Sequence, residues 1–193
     1  MMELELKAWV KDRESVLKRM DEIAVFKNHI VREDEYYRRN GDKTYPLRIR
    51  KETVYGKNGK IVESRYLLTY KRKRMHKGME VNDEKECVIS SVDVLEAFFE
   101  DNGFDLYLKK TKTVDDWECE DEIENVGKYR ATFELCNIAS LGDFMEIEIL
   151  SDKCDKNTVD FFHDELERLL DKTRIPKNDI EIRSYAQLLK ELS

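Results

Sequence analysis

Acidic residues repeat at every second position in several short segments of this 193-residue chain. Glu3 and Glu5 alternate with leucines, and the same spacing recurs at Glu146 and Glu148. Because successive side chains of a β-strand point to opposite faces, residues two apart share a face. Paired carboxylates supply the oxygen ligands that hard divalent cations prefer, so these positions are candidate metal ligands.

Basic residues follow the same two-residue spacing in other segments. Arg and Lys grip phosphate oxygens through charge-assisted hydrogen bonds, so a face lined by them favours a phosphorylated ligand. Seven acids share the alternation: Glu3, Glu5, Glu84, Glu86, Glu134, Glu146 and Glu148. Seven bases do so too: Lys7, Arg48, Arg50, Lys71, Lys73, Lys110 and Lys112.

The strands that carry these residues can be arranged in two ways. The commoner arrangement is a sheet whose polar face lies in water. Solvated faces usually mix Thr, Ser, Gln and Lys, whereas these faces repeat residues of one charge sign. If the sheet closes into a barrel, the charged side chains point into its lumen and the apolar ones point outward. Two divalent cations there would carry about +4 and offset the roughly −4 of a bound triphosphate.

Charge is also segregated along the chain, whose net charge is −7. From Lys43 to Lys77 there are 12 bases against two acids, whereas from Val114 to Asp152 there are 12 acids against two bases. These segments are compatible with two solvated faces, with a basic face that binds nucleic acid, or with strands that meet across one cavity.

Strand-like segments outnumber helical ones, which predicts a single α+β domain over residues 1–193. Further strands are expected at about 29–39, 82–89 and 104–114. Gly56-Lys57-Asn58-Gly59 is typical of a hairpin turn. Helices are predicted from an Asp12 cap to about Phe26, from a Ser91 cap to Asn102, from Asn157 or Thr158 onward, and from Ser184 to Glu191.

The sequence excludes several classes of protein. It has no G-x-G-x-x-G and no G-K-[ST], which excludes Rossmann and P-loop nucleotide sites. No apolar run approaches the roughly 18 residues of a membrane span. The N-terminus lacks the basic and apolar regions of a signal peptide, so we expect a cytoplasmic protein without a membrane partner. The cysteines are far apart, which favours free thiols over disulfides or thiolate zinc: Cys87, Cys119, Cys136 and Cys154.

Short motifs that contain the charged residues follow one another along nearly the whole chain. The first is Glu3-x-Glu5-x-Lys7. The others are Asp34-Glu35-Tyr36-Tyr37, Leu47-Arg48-Ile49-Arg50, Thr69-Tyr70-Lys71, Glu84-x-Glu86, Lys110-x-Lys112, Leu141 to Glu148, and Ser184-Tyr185 with Leu188-Leu189. In this order they resemble the motifs of the CYTH superfamily, the triphosphate tunnel metalloenzymes, over about residues 2–190. That superfamily includes class IV adenylate cyclases, thiamine triphosphatases and inorganic triphosphatases.

The resemblance implies an α+β fold, a closed or nearly closed antiparallel eight-stranded β-barrel with a charged interior and helices packed outside. It implies two Mg²⁺ or Mn²⁺ ions, held by Glu3, Glu5, Glu84, Glu86, Glu134, Glu146 and Glu148. It implies that the substrate is bound by Arg48, Arg50, Lys71, Lys73, Lys110, Lys112 and Arg183. The implied catalytic residues are Lys7, which would position the phosphate or the attacking oxygen, and Tyr36 with Lys71, which would orient or deprotonate a water.

Two positions depart from the family pattern. Leu135-Cys136-Asn137-Ile138 stands where the family often has L-D-x-V. Glu134, on the same strand face, is the candidate to supply the missing carboxylate. Asn82 stands two residues before Glu84, where the family often has arginine. Both departures concern the placement of ligands rather than the existence of the site.

We therefore expect a metal-dependent triphosphatase that acts on thiamine triphosphate, a nucleoside triphosphate or tripolyphosphate. The alternative is a class IV-type adenylate cyclase, which converts ATP to cyclic AMP and pyrophosphate. A second alternative is a non-catalytic protein that binds polyphosphate or RNA, although nucleic acid is the less expected partner. A homodimer is compatible with the sequence.

Overall fold

We describe the fold from a computed structural model, which covers residues 2–41, 46–123, 127–153 and 155–192. Its strands are β1 Met2–Val10, β2 Val25–Arg39, β3 Leu47–Tyr55, β4 Ile61–His76, β5 Met79–Ile89, β6 Phe104–Ile123, β7 Gly127–Ile138 and β8 Gly142–Ser151. Its helices are α1 Arg13–Ile23, α2 Val92–Asp101, α3 Lys156–Thr173 and α4 Tyr185–Glu191, with a 3₁₀ turn at Lys177–Asp179.

The strands close into a barrel in which every neighbouring pair is antiparallel. Their order around the ring is β1-β5-β4-β3-β2-β6-β7-β8. The predicted eight-stranded antiparallel barrel is therefore confirmed. Because side chains alternate along each strand, closure sends one alternate set into the lumen and the other set outside.

The two faces of β1 show this division. Lys7 lies opposite Glu146 of β8, and Glu5 lies opposite Glu148. On the other face of β1, Leu4 is 0% exposed and Leu6 is 2% exposed, within an apolar cluster. The alternation read from the sequence thus separates a charged inner face from an apolar outer face.

The main hydrophobic core lies outside the barrel wall, where α1 and α3 cover β1, β7 and β8. The apolar stripe of α3, spaced by three or four residues, consists of Val159, Phe162, Leu166, Leu169 and Leu170. A smaller cluster forms where α2 covers the outer face of β2 and β3, around Tyr37, Ile49 and Phe99. Because the helices bury apolar surface outside the wall, the interior is left for polar side chains.

A third cluster, which we call the apolar plug, fills one end of the lumen. Its members continue the inward alternation: Trp9 follows Lys7, Val114 follows Lys112, Cys136 follows Glu134, and Phe144 precedes Glu146, each by two residues. Helix α4 lies across this end and packs Tyr185 and Leu188 against the plug. The charged part of the lumen is therefore bounded on one side by apolar side chains.

Several element boundaries differ from those predicted, among them the starts of β2 and β5, which lie at Val25 and Met79 rather than near residues 29 and 82. Helix α1 ends at Ile23 rather than Phe26, because Ala24 already has an extended backbone. Helix α3 is capped by Asp155, not by Asn157 or Thr158, and the Asp155 carboxylate accepts a hydrogen bond from the Thr158 backbone N–H at 3.0 Å. Strand β6 continues to Ile123 instead of ending near residue 114, because it pairs with β7 along that extension.

Other local predictions are confirmed. Gly59 adopts a φ of +72° in the hairpin turn, and its N–H donates to the Gly56 carbonyl at 2.9 Å. Ser184 caps α4 in a reciprocal arrangement with Gln187. Within the described ranges, no helix combines the length and apolarity needed to cross a bilayer. Cys87, Cys119 and Cys136 are free thiols. Cys154 lies outside the described residues.

Phe162→Ala should lower the free energy of unfolding by about 3–5 kcal/mol, because it empties a site in the main core. The Phe162 ring is 3% exposed, whereas the neighbouring Phe161 is 47% exposed. Phe161→Ala should therefore change the same quantity by less than about 1 kcal/mol. Urea denaturation of both variants measures the difference. Equal losses would contradict the placement of α3 against the barrel.

Candidate active site

A cavity of about 820 Å³ occupies the charged part of the lumen. This volume lies within the roughly 300–1,000 Å³ typical of small-molecule sites. Fourteen of the sixteen predicted site residues line it: Glu3, Glu5, Lys7, Tyr36, Arg48, Arg50, Lys71, Lys73, Glu84, Lys110, Lys112, Glu134, Glu146 and Glu148. The closed sheet therefore brings together residues that are dispersed over most of the sequence.

The two other predicted residues, Glu86 and Arg183, do not line the cavity. The Glu86 side chain is 38% exposed and accepts a hydrogen bond from the Thr69 hydroxyl at 3.0 Å. The Arg183 guanidinium bonds to Glu181 and Glu191, and only the Arg183 backbone carbonyl reaches a predicted site residue. Metal binding by Glu86 and phosphate binding by Arg183 stay predictions that this placement does not support.

Strands β1, β7 and β8 form a carboxylate wall on one side of the cavity. Glu5 lies opposite Glu148, and Glu134 lies opposite Glu146. Glu148 is half-buried and, in the described part of the chain, has no hydrogen bond or ion pair within 4 Å. Burial and then the charges of Glu3 and Glu134 raise the pKa of Glu148 to about 8. Burial and the neighbouring carboxylates therefore disfavour the charged form of Glu148 more than Lys71 and Arg32 favour it.

Lys71 is the cation at the β1–β5 side of this wall. Its ammonium Nζ lies 2.9 Å from a Glu3 carboxylate oxygen, 3.3 Å from Glu84 and 3.9 Å from Glu5. Burial opposes ionisation of Glu3, but the Lys71 charge together with hydrogen bonds from Glu5, Lys71 and Glu84 outweighs it and lowers the pKa of Glu3 to about 2. Three carboxylates thus surround a single positive charge.

Lys112 has the equivalent position at the β7–β8 side. Its ammonium bonds to Glu134 at 2.7 Å and also to Glu146. Glu134 is shared with Arg32, whose guanidinium lies 2.7 Å from it and 2.8 Å from Glu52. Burial disfavours the charge of Glu134, yet Arg32 and Lys112 outweigh that cost and lower its pKa.

Asp34 forms the most buried charge cluster of the lumen, and the sequence motif gave no indication of this role. Its carboxylate accepts hydrogen bonds from Arg50 at 2.6 and 3.1 Å and lies 3.1 Å from the Lys110 ammonium. The Asp34 side chain is 0% exposed. Burial raises its pKa, but Arg50 and then Lys110 reverse this and hold the pKa well below the usual value. Asp34 therefore fixes two predicted phosphate ligands.

Tyr185 connects α4 to Lys7, a predicted catalytic residue. The Lys7 ammonium lies 4.3 Å from the centre of the Tyr185 ring and donates to the Arg183 carbonyl at 2.6 Å. The Lys110 ammonium lies 4.9 Å from the same ring. Burial lowers the pKa of Lys7, because the charged form loses hydration. The S-Y-x-x-L-L motif thus contributes a side chain to the site as well as a helix.

Four of these residues were not predicted as members of the site: Arg32, Asp34, Glu52 and Tyr185. Arg32 precedes Asp34 by two residues, and Glu52 follows Arg50 by two residues. The alternation rule therefore places both on the inner face, so extending it beyond each motif would have found them. Tyr185 has no such signal, because its position in the lumen depends on how α4 crosses the end of the barrel.

The two departures from the family pattern have different consequences. Cys136 belongs to the apolar plug, and burial raises the pKa of its thiol to about 12. It therefore offers no charged ligand, whereas Glu134 does line the cavity. Asn82 is 0% exposed and donates to Glu3 at 3.4 Å, while its Oδ1 has no hydrogen-bond partner. The uncharged Asn82 amide thus contacts Glu3, a candidate metal ligand, without compensating the negative charge of its carboxylate.

The donor set fits a divalent cation. Carboxylate oxygens of β1, β7 and β8 are the hard ligands that Mg²⁺ and Mn²⁺ prefer. Among the described residues Glu148 has no ion-pair partner within 4 Å, and burial together with the Glu146 charge raises the pKa of Glu5 well above its usual value. Among the described residues, no group of three Asp, Glu, His or Cys side chains is close enough together to hold a metal ion. Lys71 and Lys112 lie between the carboxylates instead.

Asp34→Asn should lower the free energy of unfolding by about 3–5 kcal/mol, because Arg50 and Lys110 would lose their buried counter-charge. Glu35→Gln on the outer face of the same strand removes an ion pair with Lys109, whose side chain is 66% exposed, and the amide oxygen can still accept the hydrogen bond from the Tyr37 hydroxyl. That substitution should cost less than about 1 kcal/mol. Chemical denaturation compares the two. An Asp34→Asn variant with an unchanged free energy of unfolding would contradict the structural role of this cluster.

Comparisons with known proteins agree with this architecture. The model of the CYTH domain matches residues 1–185. Among curated proteins, no sequence matches the chain. A solved structure of a protein from Pyrococcus horikoshii OT3 is similar, with a TM-score of 0.78 and 26% sequence identity over 99% of both chains.

Two further solved structures carry names that refer to an activity. A protein from Vibrio parahaemolyticus, proposed to be an adenylate cyclase, has a TM-score of 0.70 and 18% identity over 98% of both chains. A protein from Hippeastrum, proposed to be an adenylyl cyclase and described as having a dominant triphosphatase activity, has a TM-score of 0.62 and 14% identity. That match covers 100% of this chain and 96% of the other. At these identities the likeness shows the fold alone.

Members of the CYTH superfamily act on triphosphates and depend on divalent metal ions. The closed barrel with its charged lumen agrees with that chemistry. Since the family model matches nearly the whole chain, the protein belongs to the CYTH domain family.

Proposed function

We propose that this CYTH protein is a divalent-metal-dependent triphosphatase, which hydrolyses an organic or inorganic triphosphate inside the barrel. The observation that carries the proposal is one cavity in the lumen in which basic side chains of β3, β4 and β6 face the carboxylate wall. A triphosphate needs cations along its length and oxygen-bound metal at its side, and this cavity offers groups for both.

Arg48 is the clearest candidate to bind a phosphate. Its guanidinium Nη2 donates to Glu84 at 3.1 Å and to Thr69 at 3.2 Å. Its Nε is buried without a hydrogen-bond partner. Because an unpaired buried donor costs free energy, an incoming phosphate oxygen would satisfy this group at little further cost. Arg50 and Lys110, fixed by Asp34, would bind the same chain of phosphates.

The carboxylates assigned to the metal are Glu3, Glu5, Glu84, Glu134, Glu146 and Glu148. Two Mg²⁺ or Mn²⁺ ions, when bound there, would neutralise phosphate charge and lower the pKa of a coordinated water. The protein's own contribution is to hold these carboxylates on rigid strands and to exclude bulk water from them.

The reaction proposed is in-line attack of water on the terminal phosphorus, with loss of the diphosphate. Phosphoryl transfer depends mainly on positioning and on stabilising the moving charge. Lys7, held against Tyr185, would orient the terminal phosphate, and Lys71 with Tyr36 would orient the attacking water. The bond from phosphorus to the bridging oxygen breaks, and the remaining basic residues would stabilise charge on the leaving diphosphate.

The basic segment from Lys43 to Lys77 supports an enzyme over an RNA-binding surface. Of its described bases, five line the cavity, and all of them except Arg72 are paired with acids there: Arg48, Arg50, Lys71, Arg72 and Lys73. A basic surface that binds nucleic acid would present such residues to solvent. The adenylate cyclase alternative uses the same cavity, with a ribose hydroxyl attacking the α-phosphorus, and stays open to experiment. The cytoplasmic location and the homodimer also stay predictions.

Incubation with Mn²⁺ and, separately, ATP, thiamine triphosphate and tripolyphosphate should release orthophosphate from at least one of them. Glu146→Gln should lower turnover at least about 100-fold, because it removes a candidate metal ligand without changing side-chain size. Glu120→Gln is the matched control, since the Glu120 side chain is 76% exposed on β6, and it should keep full activity. Product analysis by chromatography measures both.

Other products would overturn this proposal in distinct ways. Cyclic AMP with pyrophosphate would make the protein a cyclase. Metal-independent binding of polyphosphate without turnover, weakening steeply with salt, would identify a binding protein instead. Full activity of a folded Glu146→Gln variant would contradict the assignment of the carboxylate wall to the metal.

A further inference from the structure

We propose that the ammonium groups of Lys71 and Lys112 occupy the cation positions of the carboxylate wall when no ligand is bound, so that triphosphate must draw them away before metal binds tightly. This inference rests on the proposed function and deepens it. It proposes that the two lysines, in addition to binding phosphate, determine the order in which triphosphate and metal bind.

The surroundings of Lys71 carry the first part of the argument. Its Nζ has three carboxylates within 4 Å, from Glu3 at 2.9 Å, Glu84 at 3.3 Å and Glu5 at 3.9 Å. These three acids come from two neighbouring strands, β1 and β5, and all are candidate metal ligands. Several carboxylates converging on one charge is also how oxygen ligands surround a divalent cation. The ammonium therefore stands where such a cation would bind.

The surroundings of Lys112 provide the second part of the argument. Its ammonium bridges Glu134 and Glu146, which lie opposite each other on β7 and β8. The Lys112 side chain is 4% exposed, and both glutamates are 9% exposed. Little water is available to replace this ion pair. A cation that entered between the two glutamates would have to displace the lysine.

Displacing either lysine alone is unfavourable. A buried ammonium that loses its carboxylates is left unpaired, and an unpaired buried charge costs several kcal/mol. Triphosphate changes this balance, because its oxygens offer each lysine a new anionic partner within the same cavity. The lysines then exchange carboxylate for phosphate, and the freed carboxylates become available to the metal. Metal and triphosphate should therefore strengthen each other's binding by the same factor.

Lys110 provides a matched comparison. It lies on the same strand as Lys112, two residues away, and lines the same cavity. Its ammonium pairs with Asp34, which Arg50 also holds and which is not a candidate metal ligand. Lys110 thus has the same residue type and similar burial without covering the carboxylate wall. Its removal should weaken triphosphate binding without exposing a cation position.

The experiment measures Mn²⁺ binding to the full chain, from the electron paramagnetic resonance signal of free Mn²⁺, with and without the non-hydrolysable analogue imidotriphosphate. In the wild type, the analogue should tighten Mn²⁺ binding about tenfold or more. Lys71→Met and Lys112→Met should bind Mn²⁺ about tenfold tighter without the analogue and show a smaller effect of adding it. Lys110→Met should change the Mn²⁺ affinity less than about threefold while weakening binding of the analogue.

Two results would overturn the inference through the variants. One is unchanged Mn²⁺ affinity in both Lys71→Met and Lys112→Met when circular dichroism shows them folded. The other is equal tightening in Lys110→Met, since loss of any positive charge would then suffice. The wild-type measurement needs no variant: Mn²⁺ affinity that is independent of the analogue overturns the inference by itself.

The result of the Mn²⁺-binding experiment can be distinguished from the result of the hydrolysis experiment that tests the proposed function. Coupled binding of Mn²⁺ and imidotriphosphate in a protein that hydrolyses no triphosphate would overturn the triphosphatase proposal and support the lysine exchange. Metal-dependent hydrolysis without coupled binding would do the reverse.

Discussion

Compensation of charge inside a closed barrel is the constraint on which the rest of this structure depends. Charges removed from water cost several kcal/mol each unless they are paired. The lumen meets this requirement with shared partners rather than isolated pairs, as when Asp34 holds both Arg50 and Lys110. On the carboxylate wall the compensation is incomplete, since Glu148 forms no ion pair with any base in the described part of the chain. Incomplete compensation in the ligand-free protein is what leaves binding energy for metal and phosphate.

A charged lumen moves the hydrophobic core to the outside of the wall. Small barrels usually fill their interior with side chains that pack against one another. Here the outer faces of β1, β7 and β8 take that role by packing against α1 and α3, with α2 covering another sector. The apolar plug is the exception, and it coincides with the end that α4 crosses. Stability and ligand binding are thereby assigned to opposite faces of the same strands.

The segregation of charge along the chain also has its explanation in closure. The basic residues of β3 and β4 and the acidic residues of β7 and β8 lie on different sides of the ring. Their inward members face one cavity, which identifies the third of the three arrangements that the sequence left open. In this arrangement a polyanionic ligand meets cations from one side while the opposite side retains carboxylates for metal.

The alternation of charged and apolar residues can be read from the sequence, and it singles out fourteen charged residues, all of which except Glu86 line the cavity. This is possible because the two-residue period of a strand is a local property. The resemblance to the family added Tyr36, which lines the cavity, and Arg183, which does not. Which charges meet is a property of the closed ring: Lys71 with acids of β1 and β5, Asp34 with two bases, and Tyr185 with Lys7. These contacts join residues that are far apart in the chain, so they depend on the register at which the ring closes and on the path of α4, and neither is encoded in any short segment.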